Sequence, residues 1–226
     1  MASPSQFSFD FRLRNEFTIE NYLAAESNQE LLNTLQGRLV HDLYLVWGGP
    51  GSGKSHLLQA CCAIHDNAVY LPLADYAGLG ESVLDGLEQL DLVCIDDIQE
   101  VLGSPHWEEK LFALYNAIQQ TGSHLLLASR IAPTALTFSL PDLQSRFAAG
   151  MVYHLHELNE AQKLQALKIR AQAIGMPLDD EVLQYICARA ERSTHHLFQL
   201  LDELAESTLN EKRKLTVPFI KSLMHW

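Results

Sequence analysis

The chain has 226 residues, 47% of them hydrophobic, which is enough to bury a substantial core and excludes an intrinsically disordered protein. It carries 16 Lys and Arg against 28 Asp and Glu, a formal net charge of -12. This acidic balance disfavours broad attraction to the nucleic-acid backbone, so we expect any role on DNA to depend on a protein partner.

Residues 1 to 14 are predicted to form an extended N-terminal tail. Gln6 is followed by Phe7, Phe9 and Phe11, three aromatic residues that alternate with polar ones. This alternation is typical of an edge strand, but it also suits an extended segment that docks apolar side chains onto a partner. Because a segment beside the chain terminus has few ways to bury three phenylalanines, we favour docking and keep the edge strand as the alternative.

The stretch from 15 to 28 supplies three apolar residues, Phe17, Ile19 and Tyr22, before a predicted helix from Gln29 to Gln36. Two places are open to these side chains. They could pack on a sheet, or they could form one wall of a pocket for adenine beside the glycine-rich loop that follows.

The segment YLVWGGPGSGKS, residues 44 to 55, has the pattern G-x-x-x-x-G-K-[ST]. The fixed positions of this pattern are Gly48, Gly53, Lys54 and Ser55. An apolar run, Leu43 to Trp47, precedes the glycines as a predicted strand, and Lys54 to Ile64 follows with helical spacing of its apolar residues. A strand before and a helix after are the setting in which this pattern forms a phosphate-binding loop; the alternative is an ordinary glycine-rich turn.

Loop glycines let backbone N–H groups turn towards an anion, and the helix that follows directs its positive dipole end at the same point. In such a loop the lysine, here Lys54, reaches the terminal phosphates, and the Ser55 hydroxyl ligates Mg²⁺. The sequence therefore predicts a nucleotide site with Mg²⁺. The residues expected to contact the nucleotide here are Gly49, Pro50, Gly51, Ser52, Gly53, Lys54, Ser55 and His56.

Two more strands are predicted, Ala68 to Pro72 and Leu92 to Ile95, and the second is followed by a pair of carboxylates. Four apolar residues followed by an acid are typical of a buried parallel strand that delivers carboxylates to the carboxyl edge of the sheet. We expect Asp96 to act on Mg²⁺ through water and Asp97 to orient the attacking water.

Ser104 and Pro105 predict the start of a helix that ends at Gly122, with Ser104 as its N-cap. The run from His124 to Ser129 predicts a fourth strand, and its end places Ser129 beside the two carboxylates. A short helix is then predicted over Leu140 to Gly150, and it carries Arg146 near its end.

Met151 to Leu155 predicts a fifth strand, and from Asn159 onwards the alternation of strand and helix ceases. Asn159 and Gln162 form a predicted capping box, and the helices that follow indicate an all-helical lid. The predicted fold is α/β, with a parallel sheet flanked by helices. Its parts are the tail (1–14), the nucleotide-binding α/β domain (15–156) and the small helical lid domain (157–226).

The four cysteines have no C-x-x-C spacing and lie within apolar runs, so we interpret them as reduced core residues. They are Cys61, Cys62, Cys94 and Cys187. The sequence has no N-terminal apolar signal and no apolar run approaching roughly eighteen residues, so we expect neither export nor a membrane span. These features together predict a cytoplasmic protein.

Three stretches resemble the AAA+ ATPases and, within them, the DnaA-type replication initiators: the loop GGPGSGKSHLL, the strand LVCIDDIQ, and LPDLQSRF followed by a helical lid. The resemblance covers nearly the whole chain and implies a bound adenine nucleotide, ADP or ATP, with Mg²⁺. The tail QFSFDF is similar to the hexapeptides that dock on the DNA polymerase sliding clamp, with Asp10 where proline is usual. No counterpart of the initiators' helix-turn-helix module follows the lid, so we expect no direct sequence-specific DNA binding.

By this resemblance, Ser129 takes the place of the polar sensor residue near the γ-phosphate, and Arg146 that of the arginine finger, which acts on a neighbour's nucleotide. The alternative for Arg146 is a surface arginine that caps the end of a short helix. His195 stands where the initiators' lid carries an arginine that reaches the nucleotide, and Asp97 stands where many family members have glutamate. Both departures shorten the side chain, so we expect weak or no ATPase activity of the chain's own.

The resemblance implies a negative regulator of replication initiation. In this hypothesis the protein binds nucleotide, docks on the sliding clamp through its tail, and supplies Arg146 in trans so that DnaA hydrolyses its ATP. One alternative is a self-sufficient AAA+ ATPase that loads or remodels a replication protein. Another is a structural adaptor in which nucleotide is only a folding ligand. The resemblance also leaves open a homo-oligomer of this chain.

Overall fold

The computed structural model describes residues 13–189, 193–211 and 215–224. Within these ranges the chain forms a parallel sheet with helices on both faces, followed by a helical lid, as the sequence predicts. The tail residues that were expected to dock on a partner, Gln6, Phe7, Phe9 and Phe11, lie outside the described residues.

In the described part of the chain the sheet has five parallel strands. They are β1 (Leu43–Trp47), β2 (Ala68–Pro72), β3 (Leu92–Asp96), β4 (His124–Ser129) and β5 (Met151–His154). Their spatial order is β2-β3-β4-β1-β5. β1 therefore lies between β4 and β5, and its register with β4 sets Trp47 beside Ser129. The carboxyl ends of the strands consequently meet at one edge of the sheet.

The strands lie where their apolar runs predict them, with small differences at two ends. β3 extends one residue further than predicted and includes Asp96, and β5 stops at His154, one residue early. β1, β3 and β4 are buried almost throughout because helices cover both faces of the sheet. Successive residues of β1 point to opposite faces, so Leu45 and Val46 belong to different cores.

The helices around the sheet are α1 (Gln29–Gln36), α2 (Lys54–Ala63), α3 (Leu73–Tyr76), α4 (Pro105–Thr121) and α5 (Pro141–Ala149). α1 and α2 pack on one face of the sheet, where Leu35 and Leu57 are buried, and α4 and α5 pack on the other, where Leu111 and Phe147 are buried. Short 3₁₀ turns connect the elements at Glu26–Asn28, Ala77–Leu79, Glu81–Leu84, Leu87–Gln89, Ile98–Glu100 and Pro133–Ala135. The turns between residues 77 and 89 have no counterpart among the predicted elements.

The start of α4 differs from the prediction in one respect. Ser104 has the extended backbone of an N-cap, but its side chain accepts no capping hydrogen bond. The carboxylate of Glu108 instead accepts a hydrogen bond from the N–H of Gly103, at 2.6 Å. The other end agrees with the prediction, because Gly122, at φ 75°, ends the helix in the left-handed conformation.

The lid consists of α6 (Glu160–Ala173), α7 (Asp180–Arg189), α8 (Thr194–Glu211) and α9 (Val217–Met224). Its helices enclose a core of their own, to which Leu167, Leu183 and Leu201 belong. The predicted capping box is present at the start of α6. Asn159 Oδ1 accepts a hydrogen bond from the N–H of Gln162, and Gln162 Oε1 accepts one from the N–H of Asn159, both at 2.9 Å.

The cysteines lie in the fold as free thiols. Cys61, Cys62 and Cys94 are buried, and Cys187 is half-buried. Burial raises the pKa of the Cys61 thiol to about 12, so this side chain stays protonated near neutral pH. No helix in the described ranges is long and apolar enough to cross a membrane.

Candidate functional site

The loop between β1 and α2 depends on glycine at two positions. Gly51 and Gly53 have φ angles of 78° and 93°, in the left-handed region that residues with a side chain rarely adopt. Both also leave room for a neighbour. A Cβ atom on Gly51 would come within 2.7 Å of the backbone nitrogen of His195 in the lid, and one on Gly53 within 3.1 Å of the Tyr22 ring. The lid and the N-terminal segment therefore both approach this loop closely.

Lys54 lies inside the loop, with 6% of its surface exposed. Its Nζ donates hydrogen bonds to the carbonyl oxygens of Gly48 and Gly49, at 2.7 and 2.8 Å, and to Ser52 Oγ at 3.2 Å. Burial lowers the pKa of the Lys54 ammonium, while attraction to Asp96 and Asp97 acts in the opposite direction. The loop thus encloses the Lys54 ammonium, which its own carbonyl oxygens and Ser52 hold in place.

Asp96 lies at the end of β3 and is 2% exposed. Tyr70 of β2 donates its hydroxyl to Asp96 Oδ2, and the N–H of Asp97 donates to Asp96 Oδ1, both at 2.9 Å. Burial raises the pKa of the Asp96 carboxyl, and its hydrogen bond with Ser55 opposes that rise. The two predicted Mg²⁺ ligands, Ser55 and Asp96, therefore interact with each other.

This pair of oxygen-bearing side chains fits the chemistry of Mg²⁺, which prefers hard oxygen ligands and keeps several waters. Within the described ranges, no group of three His, Cys, Asp or Glu side chains is placed to hold a metal ion by itself. A cation between Ser55 and Asp96 would accordingly complete its coordination with water and with the phosphates of a nucleotide.

Asp97 has an unusual backbone, at φ 55° and ψ 44°, and it is the one residue other than glycine in the described ranges with a positive φ. Its Oδ1 accepts hydrogen bonds from Arg130 Nε at 2.8 Å and from Gln99 Nε2 at 3.0 Å. Burial would raise the pKa of Asp97, but the hydrogen bonds from Arg130 and Gln99 outweigh it and hold the pKa below its ordinary value. The carboxylate is therefore charged and engaged with two neighbours.

Ser129 is completely buried at the end of β4. Its hydroxyl donates to the carbonyl oxygen of Ile131 and accepts from the N–H of Ile131, both at 2.9 Å. Its own carbonyl oxygen accepts a hydrogen bond from the N–H of Gly48, at 3.2 Å. Ser129 thus adjoins the phosphate-binding loop through its backbone, while its hydroxyl closes a local turn.

His56, in the first turns of α2, faces the N-terminal segment. Its ring stacks on Phe17, with centroids 4.6 Å apart, and meets the Tyr22 ring edge-on at 5.2 Å. Burial lowers the pKa of His56 to about 4, so the ring is neutral near pH 7. Because the carbonyl oxygen of Thr18, 2.9 Å from Nε2, can only accept, Nε2 carries the proton.

A small cavity of 40 Å³ lies beside the loop, between the N-terminal segment and the lid. Tyr22, Gly53 and His56 line it together with Thr194, whose buried hydroxyl has no hydrogen-bond partner among the described residues. Tyr22 lines this cavity and also packs, with Ile19, against the core on this face of the sheet. Since a benzene-sized ligand needs roughly 150 Å³, a base would enter this cavity only if its walls move.

His195 lies at the start of α8, on the other side of the loop. It lines a cavity of 510 Å³ together with Ser55, Asp96 and Asp97, and a second one of 230 Å³ together with Lys54. The predicted nucleotide, metal and lid residues are therefore brought to one region of the molecule.

Three residues of this region were not predicted from the sequence: Tyr70, Arg14 and Arg170. Arg170 of α6 contacts both carboxylate oxygens of Asp202 at 2.8 Å, and its guanidinium lies 5.2 Å from the ring of Phe17. Arg14 is paired with Asp202 at 3.6 Å and lines both larger cavities. The contacts of Arg14 and Arg170 join segments far apart in the chain, so no local sequence pattern predicts them. Of the three residues, only Tyr70 has a local signal for a role in the site, because its hydroxyl lies in an otherwise apolar strand.

Arg146 is exposed on α5, and it is separate from the residues around the loop. Its guanidinium lies over the ring of Tyr115, 5.7 Å from the centroid. Within the described ranges it pairs with no carboxylate and caps no helix carbonyl, and it lines none of the cavities beside the loop. α5 itself is held by Leu143 and Phe147, which are buried against α4 and the sheet.

Comparison with known families gives two matches along the chain. Residues 160–224 match the model "Hda, lid domain", and residues 80–154 match the bacterial DnaA ATPase domain. An uncharacterized protein of Haemophilus influenzae is 37% identical over 219 residues, which cover 93% of this chain and 94% of the relative.

Solved structures share the fold. Domain III of DnaA from Thermotoga maritima has a TM-score of 0.81 at 20% identity, over 95% of this chain and 98% of that one. AMPPCP-bound DnaA from Aquifex aeolicus has a TM-score of 0.65 at 23% identity, over 84% and 66%. RuvB of Thermotoga maritima has a TM-score of 0.67 at 17% identity, over 95% and 73%. With its phosphate-binding loop, parallel sheet and helical lid, the chain belongs to the family of Hda- and DnaA-related AAA+ proteins.

Proposed function

We propose that this protein is a negative regulator of replication initiation that acts on the DnaA initiator. It binds an adenine nucleotide, docks on the DNA polymerase sliding clamp through its tail, and presents Arg146 to the ATP bound by DnaA. The initiator then hydrolyses that ATP and is switched off. An arginine supplied in trans to a phosphoryl group in transfer can raise the rate by about 10³ to 10⁵.

The observation that carries this proposal is the position of Arg146. The helix that bears it, α5, packs on the opposite face of the sheet from α2, the helix that follows the phosphate-binding loop. The guanidinium is exposed and has no acidic partner among the described residues. It is therefore available to a neighbouring molecule and not to the chain's own loop.

Nucleotide binding is supported by the charges and glycines of the loop. Lys54 would contact the terminal phosphates, while Ser55 and Asp96 would hold Mg²⁺. Bound Mg²⁺ supplies charge neutralisation at the phosphate oxygens. The AMPPCP-bound DnaA of Aquifex aeolicus shares this fold, which makes an adenine nucleotide the proposed ligand here.

Weak hydrolysis of the chain's own nucleotide is supported by two side chains. The Asp97 carboxylate is engaged with Arg130 and Gln99, and the hydroxyl of Ser129 is engaged with Ile131. Either group would have to leave these hydrogen bonds to act on a water or a γ-phosphate, and His195 is shorter than the arginine that the initiators' lid carries.

Replacing Arg146 by Ala tests the proposal. We expect the variant to fold and to bind ADP as the wild type does, but to lose its stimulation of ATP hydrolysis by DnaA in the presence of clamp-loaded DNA. The matched control is Arg38→Ala, which removes another exposed arginine, in the segment that leads into β1. If the Arg146 variant stimulates DnaA normally, or loses its own nucleotide, the trans role is wrong.

A further inference from the structure

A buried carboxylate fixes the start of α5, the helix that carries Arg146. Glu108, in the first turn of α4, has no exposed surface. Its Oε1 accepts hydrogen bonds from the N–H groups of Gly103 and Ser139, at 2.6 and 2.9 Å, and its Oε2 accepts one from Leu140 at 2.5 Å. Residues 139 and 140 directly precede α5, so this carboxylate holds the backbone that leads into the helix.

The arrangement is a strong one physically. Hydrogen bonds to an ionised acceptor are shorter and stronger than those between neutral groups, and three of them compensate the burial of the Glu108 charge. A further hydrogen bond, from Ser139 Oγ to the carbonyl oxygen of Gly103 at 2.9 Å, ties the same two loops together. Without the carboxylate, three N–H groups would lose their acceptor.

The same face of α4 supports Arg146 directly. Tyr115 lies seven residues after Glu108, about two helical turns further on, and its ring is under the guanidinium of Arg146. The Tyr115 hydroxyl accepts a hydrogen bond from Gln119 Nε2 at 3.0 Å. Directly after Arg146, α5 is anchored by Phe147, whose ring meets that of Phe138 edge-on at 5.3 Å.

We propose that Glu108 and Tyr115 together form a seat on α4 that positions Arg146 for reaction at a partner's nucleotide. Both are positioning residues, and the inference rests on the proposed role of Arg146. An arginine finger contributes only when its guanidinium meets the developing charge, and a displacement of about 1 Å can cost roughly a hundredfold in rate. Glu108 holds the backbone before α5, and Tyr115 holds the guanidinium itself, so the seat restrains Arg146 at two points.

Glu108→Gln is the first test, because it keeps the side-chain shape while it removes the charge and turns one acceptor into a donor that faces a backbone N–H. We expect the maximal rate of DnaA-bound ATP hydrolysis, at saturating protein, to fall by about tenfold or more. The concentration that gives half-maximal stimulation and the affinity for ADP should not change. The matched control is Glu109→Gln, which makes the same chemical change at an exposed neighbour and should behave as the wild type.

An unchanged maximal rate in the Glu108 variant would overturn the proposal. So would a variant that reaches the normal maximal rate but needs more protein, since that result reports a smaller folded fraction and not a misplaced arginine. If Glu108→Gln does not fold, Tyr115→Leu decides the question, with the ring-preserving Tyr115→Phe as control; a normal maximal rate in Tyr115→Leu then contradicts the seat.

Arg146→Ala in the same assay distinguishes a failure of the proposed function from a failure of the seat alone. If it stimulates DnaA as the wild type does, the proposed function fails. If it is inactive while Glu108→Gln and Tyr115→Leu are fully active, only the seat is wrong.

Discussion

At Lys54 and Asp96, burial disfavours the charged form of both side chains, although their charges are opposite. It lowers the pKa of the Lys54 ammonium and raises that of the Asp96 carboxyl, and so favours the neutral form of each. A phosphate beside Lys54 and a cation beside Asp96 would favour the charged forms again. Nucleotide and Mg²⁺ are therefore expected to bind more tightly together than either binds alone.

Asp96→Asn tests whether the carboxylate acts on Mg²⁺ or on the phosphate-binding loop. We expect the affinity for ADP in the presence of Mg²⁺ to fall by about tenfold or more, because the acid acts through the metal, and the affinity without Mg²⁺ to stay nearly the same. Calorimetric titration under both conditions measures the difference. Asp91→Asn, at an exposed position just before β3, is the matched control. Equal losses with and without Mg²⁺ would show that Asp96 acts on the loop and not on a metal.

At this scale, the sequence predicts the residues whose spacing is local. Lys54 and Ser55 follow from the loop pattern, and Asp96 follows from an apolar strand that ends in an acid. Arg170 could not be found in this way, because its contact with Phe17 joins segments about 150 residues apart and neither residue belongs to a pattern. The capping role of Glu108 was missed for a similar reason, since Ser104 offered a more common N-cap signal.

Among the elements, the N-terminal segment, residues 13–28, contacts both the sheet domain and the lid. Phe17 lies between His56 of α2 and Arg170 of the lid, and Arg14 contacts both Gln59 of α2 and Asp202 of the lid. The predicted clamp-binding tail leads directly into this segment. A partner bound to the tail would therefore be attached to the chain through this segment.

The tail yields a prediction that separates docking from folding. Replacing Gln6 and Phe11 by Ala should abolish the binding of the sliding clamp in a pull-down, because a few aromatic and polar anchors carry most of the binding free energy in such contacts. ADP affinity and the melting temperature should stay nearly the same. The edge-strand alternative predicts the opposite, a lower melting temperature with no effect on any association with the clamp.

How well an element is predicted depends on how it is stabilised. The five strands were found to within one residue because each is a short apolar run closed by polar or glycine residues. The 3₁₀ turns between Ala77 and Gln89 were missed because turns this short have no apolar period of their own. The helix α5 was predicted, but its attachment to Glu108 depends on the packing of α4, which no local pattern encodes.

On the scale of the whole molecule, the nucleotide site and Arg146 lie on different parts of the fold. The phosphate-binding loop, Asp96 and the lid enclose the chain's own site, while α5 presents Arg146 to the outside. The net charge of -12 gives the molecule little attraction to DNA, so protein partners would have to bring it to the initiator. These features together favour a regulator that is loaded with nucleotide and acts on a neighbour.

The most direct test of this account asks which ATP is hydrolysed. The protein would be loaded with ATP that carries one phosphorus isotope in the γ-position, DnaA with ATP that carries another, and the two would be mixed on clamp-loaded DNA for a single turnover. We predict rapid release of the DnaA label and no comparable release of the other label. With Arg146→Ala, we expect release of the DnaA label to fall to the level of the other. Release of the protein's own label at the same rate, or no release from DnaA, would contradict the account.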